Sequence, residues 1–319
     1  MAIIIKGYMH IHVNTIEKHG GLNRFVRLKA GTSSEKYLIT ANDGSAYLLR
    51  LYNADAENNP GLVAELNGRI FSAGIKIPVI LETGMSEDGA FWFELNEWVV
   101  GRSLDLLLDG LPVVAQYQKG LSAGRFLKII HSVKGSAICG AGPIPLYERI
   151  ERAVEQYDIL KRKGLPTYKG AAFIQQLMST PPRAGQPKDR LLHGDYHTGN
   201  IIEDTAGDIW AIDWIYGLTG DPIDDFVRIF VSADLHPHFA RGQVDGYFSG
   251  VPPLEFWAEL KFFASLQQLE ILSLPLGSLP NGETIWEHQH RIIFDQYSGM
   301  RSEIPRFYTI KGGENHEYR

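Results

Sequence analysis

Four side chains that can bind a metal ion or move a proton are crowded into residues 191–200, which read LLHGDYHTGN. They are His193, Asp195, His197 and Asn200. Three roles fit such a stretch: a metal site, a site of proton transfer, or a polar turn.

A zinc site would use His193 and His197, because histidines four positions apart lie on one face of a helix. Gly194 and Gly199 disfavour a helix here, and no third histidine or cysteine lies nearby in the sequence. Zinc sites in proteins normally have at least three protein ligands. The stretch is therefore not expected to bind zinc.

The segment that follows predicts a different metal site. Residues 201–212 have the composition of two short strands joined by a turn. Such a hairpin would return Asp213 beside Asn200, so that an amide oxygen and a carboxylate face one small volume. Few, hard oxygen ligands suit a Mg²⁺ ion that already carries nucleotide phosphates. Asp195 lies outside this pair, where it could accept a hydrogen bond from an attacking hydroxyl.

The hydrophobic pattern predicts the elements that hold these residues. Residues 1–100 indicate mainly strands, over Arg24–Leu28, Lys36–Thr40, Ala46–Tyr52, Val79–Glu82 and Ala90–Glu94, with one helix over Gly61–Ala73. After Gly101 the pattern becomes helical, over Val113–Ser132, Leu146–Lys163, Ala171–Ser179, Leu254–Ser273 and Thr284–Tyr297. We therefore predict a strand-rich N-terminal part and a helical C-terminal part, with one inset β-rich region at Arg190–Trp214.

Composition argues against several classes of protein. The 319 residues are 44% hydrophobic and 21% charged, which is typical of a globular protein. The net charge of −6 argues against a nucleic-acid partner and is compatible with a cationic small substrate. The single cysteine, Cys139, cannot form an intrachain disulfide, and the apolar run Ile3–Ile5 is too short for a signal peptide or a membrane span. We expect a cytoplasmic protein without a membrane partner; the sequence leaves its oligomeric state open.

Three ordered motifs resemble those of one enzyme family. HGD at 193–195, followed by Asn200, resembles the catalytic loop H-R-D-x-x-x-x-N of protein kinases, in the form found in their aminoglycoside phosphotransferase and choline kinase relatives. IDW at 212–214 resembles that family's equivalent of the kinase motif D-F-G. GDPIDDFVRI at 220–229 resembles the G-D-P segment that follows it. The shared order and spacing make the combination specific.

The resemblance also covers the N-terminal part. Arg50 in AYLLRLY stands where the family has a lysine that contacts nucleotide phosphates, and Glu65 in LVAELNG stands where a helix glutamate pairs with that cation. FWFELNEWVVGRSL resembles the strand and hinge that hold the base, with Glu97 and Val99 offering backbone groups.

Two departures from the family pattern concern the phosphates. Arginine replaces lysine at position 50, and the loop over residues 30–36 has one glycine, Gly31, where protein kinases have three. Ser33 and Ser34, with nearby backbone amides, are therefore expected to hold phosphate oxygens.

The resemblance implies an α+β, protein-kinase-like bilobal fold. Residues 1–100 would form an antiparallel-sheet N-lobe that binds nucleotide, and residues 101–319 a mainly helical C-lobe with the catalytic hairpin and the substrate-binding helices. The implied reaction transfers the γ-phosphate of ATP or GTP to a hydroxyl of a small molecule. Asp195 would orient and deprotonate the acceptor, Asn200 and Asp213 would hold Mg²⁺, and Arg50 fixed by Glu65 would neutralise phosphate oxygens.

Other residues in these motifs are expected to be structural. His193 is expected to be a buried imidazole bonded to a backbone carbonyl, and His131 a core residue on the apolar face of its helix. Asp221, just before Pro222, is expected to cap the start of a helix.

Three functions remain open at this point. The first is a kinase of an antibiotic such as an aminoglycoside or a macrolide, and the second is a housekeeping kinase of choline, another amino alcohol or a sugar. The third is a nucleotide-binding regulator without transfer activity. The presence of Asp195, Asn200 and Asp213 together disfavours the third, and no short motif separates the first two.

Overall fold

The computed structural model describes residues 2–5, 9–28, 34–54, 60–165, 167–180, 188–273 and 283–309. The chain forms two compact units, one made of Met1–Gly101 with Asp204–Ile212 and the other of Arg102–Glu203 with Asp213–Arg319. No helix within the described ranges is long and apolar enough to cross a membrane.

The first unit is built on a five-stranded antiparallel sheet. Its elements are β1 (Ala2–Ile5), β2 (Met9–His12), α1 (Asn14–Lys18), β3 (Leu22–Leu28), β4 (Glu35–Ala41), β5 (Ala46–Asn53), α2 (Pro60–Ser72), β6 (Ile80–Met85) and β7 (Phe91–Glu97). The sheet order is β3-β4-β5-β7-β6, and β1 and β2 form a separate hairpin. The five predicted strands and the predicted helix are confirmed, while the β1–β2 hairpin and α1 were not predicted.

The core of the first unit depends on the alternation of β5. Tyr47, Leu49 and Leu51 are buried and pack with Val13 and Ile16 from the segment that includes α1. Successive side chains of a strand point to opposite faces. Arg50 therefore lies on the sheet face away from this core, as the sequence predicts.

The second unit is mainly helical. Its N-terminal elements are β8 (Gly101–Ser103), α3 (Leu104–Leu108), α4 (Val113–Ser132), α5 (Gly135–Cys139), α6 (Leu146–Arg162) and α7 (Gly170–Ser179). The predicted β-rich region, Arg190–Trp214, contains β9 (Arg190–Leu191), a 3-10 turn (Thr198–Asn200), β10 (Ile201–Asp204) and β11 (Ile209–Ala211), and β11 belongs to the first unit. Strand β12 (Thr219–Gly220) follows beyond that region. The antiparallel pair of β9 with β12 closes the loop that carries residues 193–200.

Six further helices lie in the described part of the second unit. They are α8 (Ile223–Phe226), α9 (Ile229–Leu235), α10 (Pro237–Phe248), α11 (Leu254–Glu270), α12 (Ile285–Gln296) and α13 (Arg306–Thr309). The structure confirms the five helices predicted in this unit, which correspond to α4, α6, α7, α11 and α12. A 3-10 turn over Ile271–Ser273 ends the segment that was predicted to be helical to Ser273. Helices α9 and α10 were not predicted, and of α8 only the start, at Pro222, was.

Helices α4 and α10 cross with their backbones in contact, and glycines make this contact sterically allowed. A Cβ added to Gly124 would lie 2.0 Å from the carbonyl oxygen of Gln243, and one added to Gly242 would lie 2.2 Å from that of Tyr117. Gly120 and Gly246 are equally restricted. The four glycines repeat at intervals of four residues, which places them on one face of each helix.

We expect Gly242→Ala to destabilise the second unit by more than about 3 kcal/mol, the upper part of the usual range for overpacking. The reason is that the obstructing atoms belong to the backbone and cannot rotate away. Gly68→Ala in α2 is the matched control, since a Cβ there meets nothing within 4 Å; it should stabilise by about 0.5–1 kcal/mol. Urea unfolding and soluble yield measure both effects. Equal stability of the two variants would contradict the backbone contact.

Candidate active site

The loop between β9 and β10 carries His193, Asp195, His197 and Asn200, and it lies within the second unit. Gly194 has a φ of 87°, a left-handed value that side chains rarely adopt. Further along, His197 caps the 3-10 turn: its Nδ1 accepts a hydrogen bond from the Gly199 N–H at 3.1 Å. A Cβ on Gly199 would lie 2.9 Å from the His197 ring. Gly194 is thus required by its backbone conformation, while a side chain at position 199 would displace the His197 ring.

The carboxylate of Asp195 is held through both oxygens. Oδ2 accepts a hydrogen bond from Asn200 Nδ2 at 2.8 Å and lies 3.4 Å from His197 Nε2, and Oδ1 lies 3.2 Å from Arg228 Nε. Because His197 Nδ1 accepts from Gly199, its proton is on Nε2, facing Asp195. The side chain of Asp195 is still 34% exposed.

The pKa of Asp195 is lowered to about 2. Burial by itself would raise the pKa of this carboxyl, but the hydrogen bond from His197 and the positive charge of Arg228 outweigh it. The group is therefore ionised at neutral pH, and its position is fixed while part of it remains accessible.

A second carboxylate, Asp225, anchors the backbone of the same loop. It is fully buried and accepts hydrogen bonds from the N–H groups of His193 at 2.8 Å and Gly194 at 2.7 Å. It also lies 3.0 Å from His131 Nε2. Burial would raise the pKa of Asp225, but the bond and charge of His131 lower it.

The two histidines expected to be structural have the partners that such a role requires. His193 is fully buried, and its Nδ1 accepts from the Asp195 N–H at 3.1 Å, while its ring packs 4.6 Å from that of Trp214. The expected burial of His193 is found, but the backbone group at its Nδ1 is an N–H, where a carbonyl was expected. His131 is buried between Asp225 and the Tyr247 hydroxyl, which lies 3.1 Å from its Nδ1.

Asp221 lies at the start of α8, as expected, but the N-cap position itself is Pro222. The Oδ1 of Asp221 accepts from the Ile223 N–H at 3.2 Å at the start of α8, and it pairs with Lys188 at 3.3 Å.

Asn200 and Asp213 are the residues suited to a metal ion. The Nδ2 of Asn200 donates to the carbonyl and carboxylate oxygens of Asp195, and these bonds do not use its Oδ1. Asp213 has a φ of 57°. Two residues later, the Ile215 N–H donates to the His193 carbonyl at 3.0 Å and so attaches this segment to the loop.

An amide oxygen and one carboxylate are a donor set that fits Mg²⁺ bound mainly through phosphates. Among the described residues, no group of three or more His, Cys, Asp or Glu side chains is placed to hold a metal ion. The chemistry of the donors therefore fits a metal that arrives with its nucleotide better than a metal held by protein alone.

In the first unit, the partner of Arg50 differs from the expected one. Its Nη1 lies 4.0 Å from the Oε2 of Glu94, which is buried and also accepts from the Tyr52 hydroxyl at 3.3 Å. Glu65 instead pairs with Arg69, one helical turn further along α2, and is exposed. The expected fixing of Arg50 by Glu65 is therefore corrected: Glu94 lies directly opposite Arg50 in the register of β5 with β7.

The remaining expected nucleotide contacts also lie in the first unit. Glu97 ends β7, where its N–H donates to the Val79 carbonyl at 3.0 Å and its carboxylate accepts from the Val79 N–H at 3.1 Å. Val99 follows, half-buried, and Ser34 is half-buried just before β4. Ser33 lies outside the described residues.

Three partners of the expected residues were not singled out from the sequence: Glu94 in the first unit, and Asp225 and Arg228 in the second. Glu94 could have been found only from the pairing of β5 with β7, which are not consecutive strands. Asp225 and Arg228 both lie in the segment GDPIDDFVRI, where an acid and a base three positions apart share one face of a helical segment. That spacing was a usable signal.

Comparison with known proteins supports the motifs. A model of the phosphotransferase enzyme family matches residues 24–262. A search of curated proteins finds no match. Among solved structures, the GDP complex of wild-type aminoglycoside 2'-phosphotransferase-IIIa is similar with a TM-score of 0.62 and 17% identity, over 86% of this chain and 92% of that one.

Two further structures show the same fold. The choline kinase from Streptococcus pneumoniae gives a TM-score of 0.57 at 15% identity, over 91% of this chain and 97% of that one. The macrolide 2'-phosphotransferase from Brachybacterium faecium gives 0.57 at 15%, over 88% and 95%. The fold is thus the predicted α+β, protein-kinase-like one, and, since the family model spans most of the sequence, the chain belongs to the phosphotransferase enzyme family.

Proposed function

We propose that this protein transfers the γ-phosphoryl group of ATP or GTP to a hydroxyl of a small-molecule acceptor. The observation that carries the proposal is the carboxylate of Asp195, which is ionised, held by three side chains and still accessible. A carboxylate fixed in this way can accept a hydrogen bond from an alcohol and orient its oxygen for attack. Relatives with this fold include complexes with GDP and with ADP, so both donors are candidates.

The low pKa of Asp195 bears on when the proton moves. A group with a pKa of about 2 is a weak base toward a neutral alcohol. In a loose transition state, the acceptor oxygen becomes acidic only as its bond to phosphorus forms. The role of Asp195 is therefore mainly orientation, followed by late acceptance of the proton. Arg228 and His197 support this role by fixing the two carboxylate oxygens.

Asn200 and Asp213 would hold Mg²⁺ through their oxygens. When bound, the ion supplies positive charge that neutralises phosphate oxygens. Arg50 would contribute a planar guanidinium to the same phosphates, and Glu94 would orient it. Ser34 and the backbone groups of Glu97 and Val99 are proposed to contact the nucleotide, as is Ser33.

The class of acceptor divides the proposal into two candidates. The resemblance to an aminoglycoside and a macrolide phosphotransferase supports an antibiotic, and the resemblance to a choline kinase supports an amino alcohol. Release of ADP or GDP measured across both acceptor classes separates them.

We expect Asp195→Asn to lower kcat by about 10²–10⁴, because the amide cannot take the proton, while nucleotide affinity stays within about twofold. The matched control is Asp158→Asn, an exposed aspartate of α6 in the same unit. ADP or GDP release and nucleotide binding are measured for both. Retention of most turnover in Asp195→Asn would remove this residue from the reaction.

Because Asp213 has a left-handed φ, a comparison of its Asn and Ala variants separates the effect of the lost charge from the effect of backbone strain. Asparagine tolerates this conformation and alanine does not, so Asp213→Ala should cost about 1–2 kcal/mol of stability that Asp213→Asn does not. Both variants should lose most Mg²⁺-dependent nucleotide affinity, and Asn200→Ala should lose less because its ligand is neutral. A Mg²⁺ titration in which Asp213→Asn binds like wild type would contradict the metal assignment.

A double-mutant cycle tests the partner of Arg50. We expect the losses in kcat/KM for nucleotide caused by Arg50→Met and Glu94→Gln to be strongly non-additive, because each variant breaks the same contact. Glu65→Gln is the control and should change kcat/KM by less than about twofold, since Glu65 is an exposed partner of Arg69. Additive losses would mean that Glu94 does not orient Arg50.

A further inference from the structure

The second unit contains a cavity of about 360 Å³ that the catalytic residues do not account for. Its volume is within the usual range for small-molecule sites, roughly 300–1,000 Å³. The wall includes Gly194, the chain neighbour of Asp195, so one end of the cavity adjoins the catalytic loop. Six apolar side chains line it: Pro143, Ile144, Leu146, Leu192, Leu218 and Phe263.

One arginine organises the charged part of the wall. Arg149 donates from Nε and Nη2 to Glu270 at 2.8 and 3.0 Å, and from Nη1 and Nη2 to Asp224 at 2.8 and 2.9 Å. These four bonds use most of the five N–H groups of a guanidinium. Arg149 is therefore not available as a site for an anionic ligand.

The same contacts limit the negative charge that a ligand meets. Asp224 and Glu270 share one guanidinium, so this trio has a formal charge of −1. Asp221 is paired with Lys188, and Asp225 is occupied by the catalytic loop and His131. Four of the wall's five carboxylates thus already serve a cation or the backbone, and the fifth belongs to Glu259.

The apolar side of the cavity is open by contrast. Ile144 is 51% exposed and Leu218 is 36% exposed. Apolar side chains that face solvent together in a concave wall are the surface that a ligand with an apolar part would cover.

We propose that this cavity is the acceptor site and that the acceptor is amphipathic. Its apolar body lies against Ile144, Leu218 and Phe263, and its hydroxyl lies at the Gly194 end. One amine faces the trio of Arg149, Asp224 and Glu270, whose formal charge is −1. A compact polycation is a poor ligand, because Arg149 already occupies two of the carboxylates. That the amphipathic ligand is phosphorylated rests on the proposed function, whereas its binding in the cavity does not.

A homologous series of probes tests the apolar part directly. N-alkyl aminoethanols with alkyl chains from methyl to octyl keep one amine and one hydroxyl while apolar length increases. Burial of one CH₂ contributes about 0.8 kcal/mol, so each added carbon should tighten Kd about three- to fourfold until the cavity is filled. Isothermal titration without nucleotide measures this series, with spermidine as the polycation. A flat series, or spermidine binding more tightly than the octyl probe, would overturn the inference.

Paired surface variants separate the cavity from non-specific adsorption. The double variant Ile144→Ser, Leu218→Ser should reduce the improvement in Kd per added carbon to less than twofold. Val251→Ser with Leu254→Ser is the matched control, because these residues of the same unit are 86% and 79% exposed and do not line the cavity; it should leave the series unchanged. All four side chains are partly or largely exposed, so folding should persist, as thermal unfolding checks. An equal loss in both pairs would show adsorption and contradict the proposed site.

The experiments distinguish a failure of the proposed binding site from a failure of the proposed phosphoryl transfer. If the probes bind with the expected length dependence but no acceptor supports ADP or GDP release, the cavity inference stands and the proposed function falls. Phosphorylation of a polycation that requires Asp195 and is unaffected by the Ile144 and Leu218 substitutions would give the opposite result. In that case the proposed function stands and the cavity inference is wrong.

Discussion

The position of the catalytic loop depends on one buried carboxylate. Asp225 is fully buried, and an ionised group in that position is tolerated only when donors surround it. Here the donors are the N–H groups of His193 and Gly194 and the ring of His131. The two backbone bonds fix the peptide immediately before Asp195, including the left-handed Gly194. Removal of such a partner typically costs about 3–5 kcal/mol, so the loop and the helices that hold it form one energetic unit.

The same short segment also holds the side chain of Asp195. Arg228 follows Asp225 by three residues, a spacing that places both on one face of a helical turn. One residue therefore holds the loop's backbone while the other holds the Oδ1 of Asp195. From inside the loop, Asn200 and His197 hold Oδ2. Orientation of the carboxylate thus depends on tertiary contacts and on local turn geometry together.

Much of this arrangement was predictable because it depends on local patterns. Strand alternation placed Arg50 away from Leu49 and Leu51, and helical periodicity placed α4 with its bounds unchanged. Non-local pairing was not predictable: Glu94 faces Arg50 only because β5 pairs with β7, whereas the resemblance had indicated Glu65. Helix α10 was missed for a physical reason. It packs through Gly242 and Gly246, so it lacks the stripe of large apolar side chains that periodicity detects.

Neighbouring acids on α8 connect the catalytic loop with the cavity. Asp225 binds the loop, while Asp224, one residue earlier, binds Arg149 in the cavity wall. Residues next to each other on a helix point in different directions, so this turn can serve two sites at once. A shift of α8 would move both carboxylates together. The wall that would hold an acceptor and the loop that carries Asp195 therefore share one rigid support, which keeps their separation fixed without any direct contact between Arg149 and Asp195.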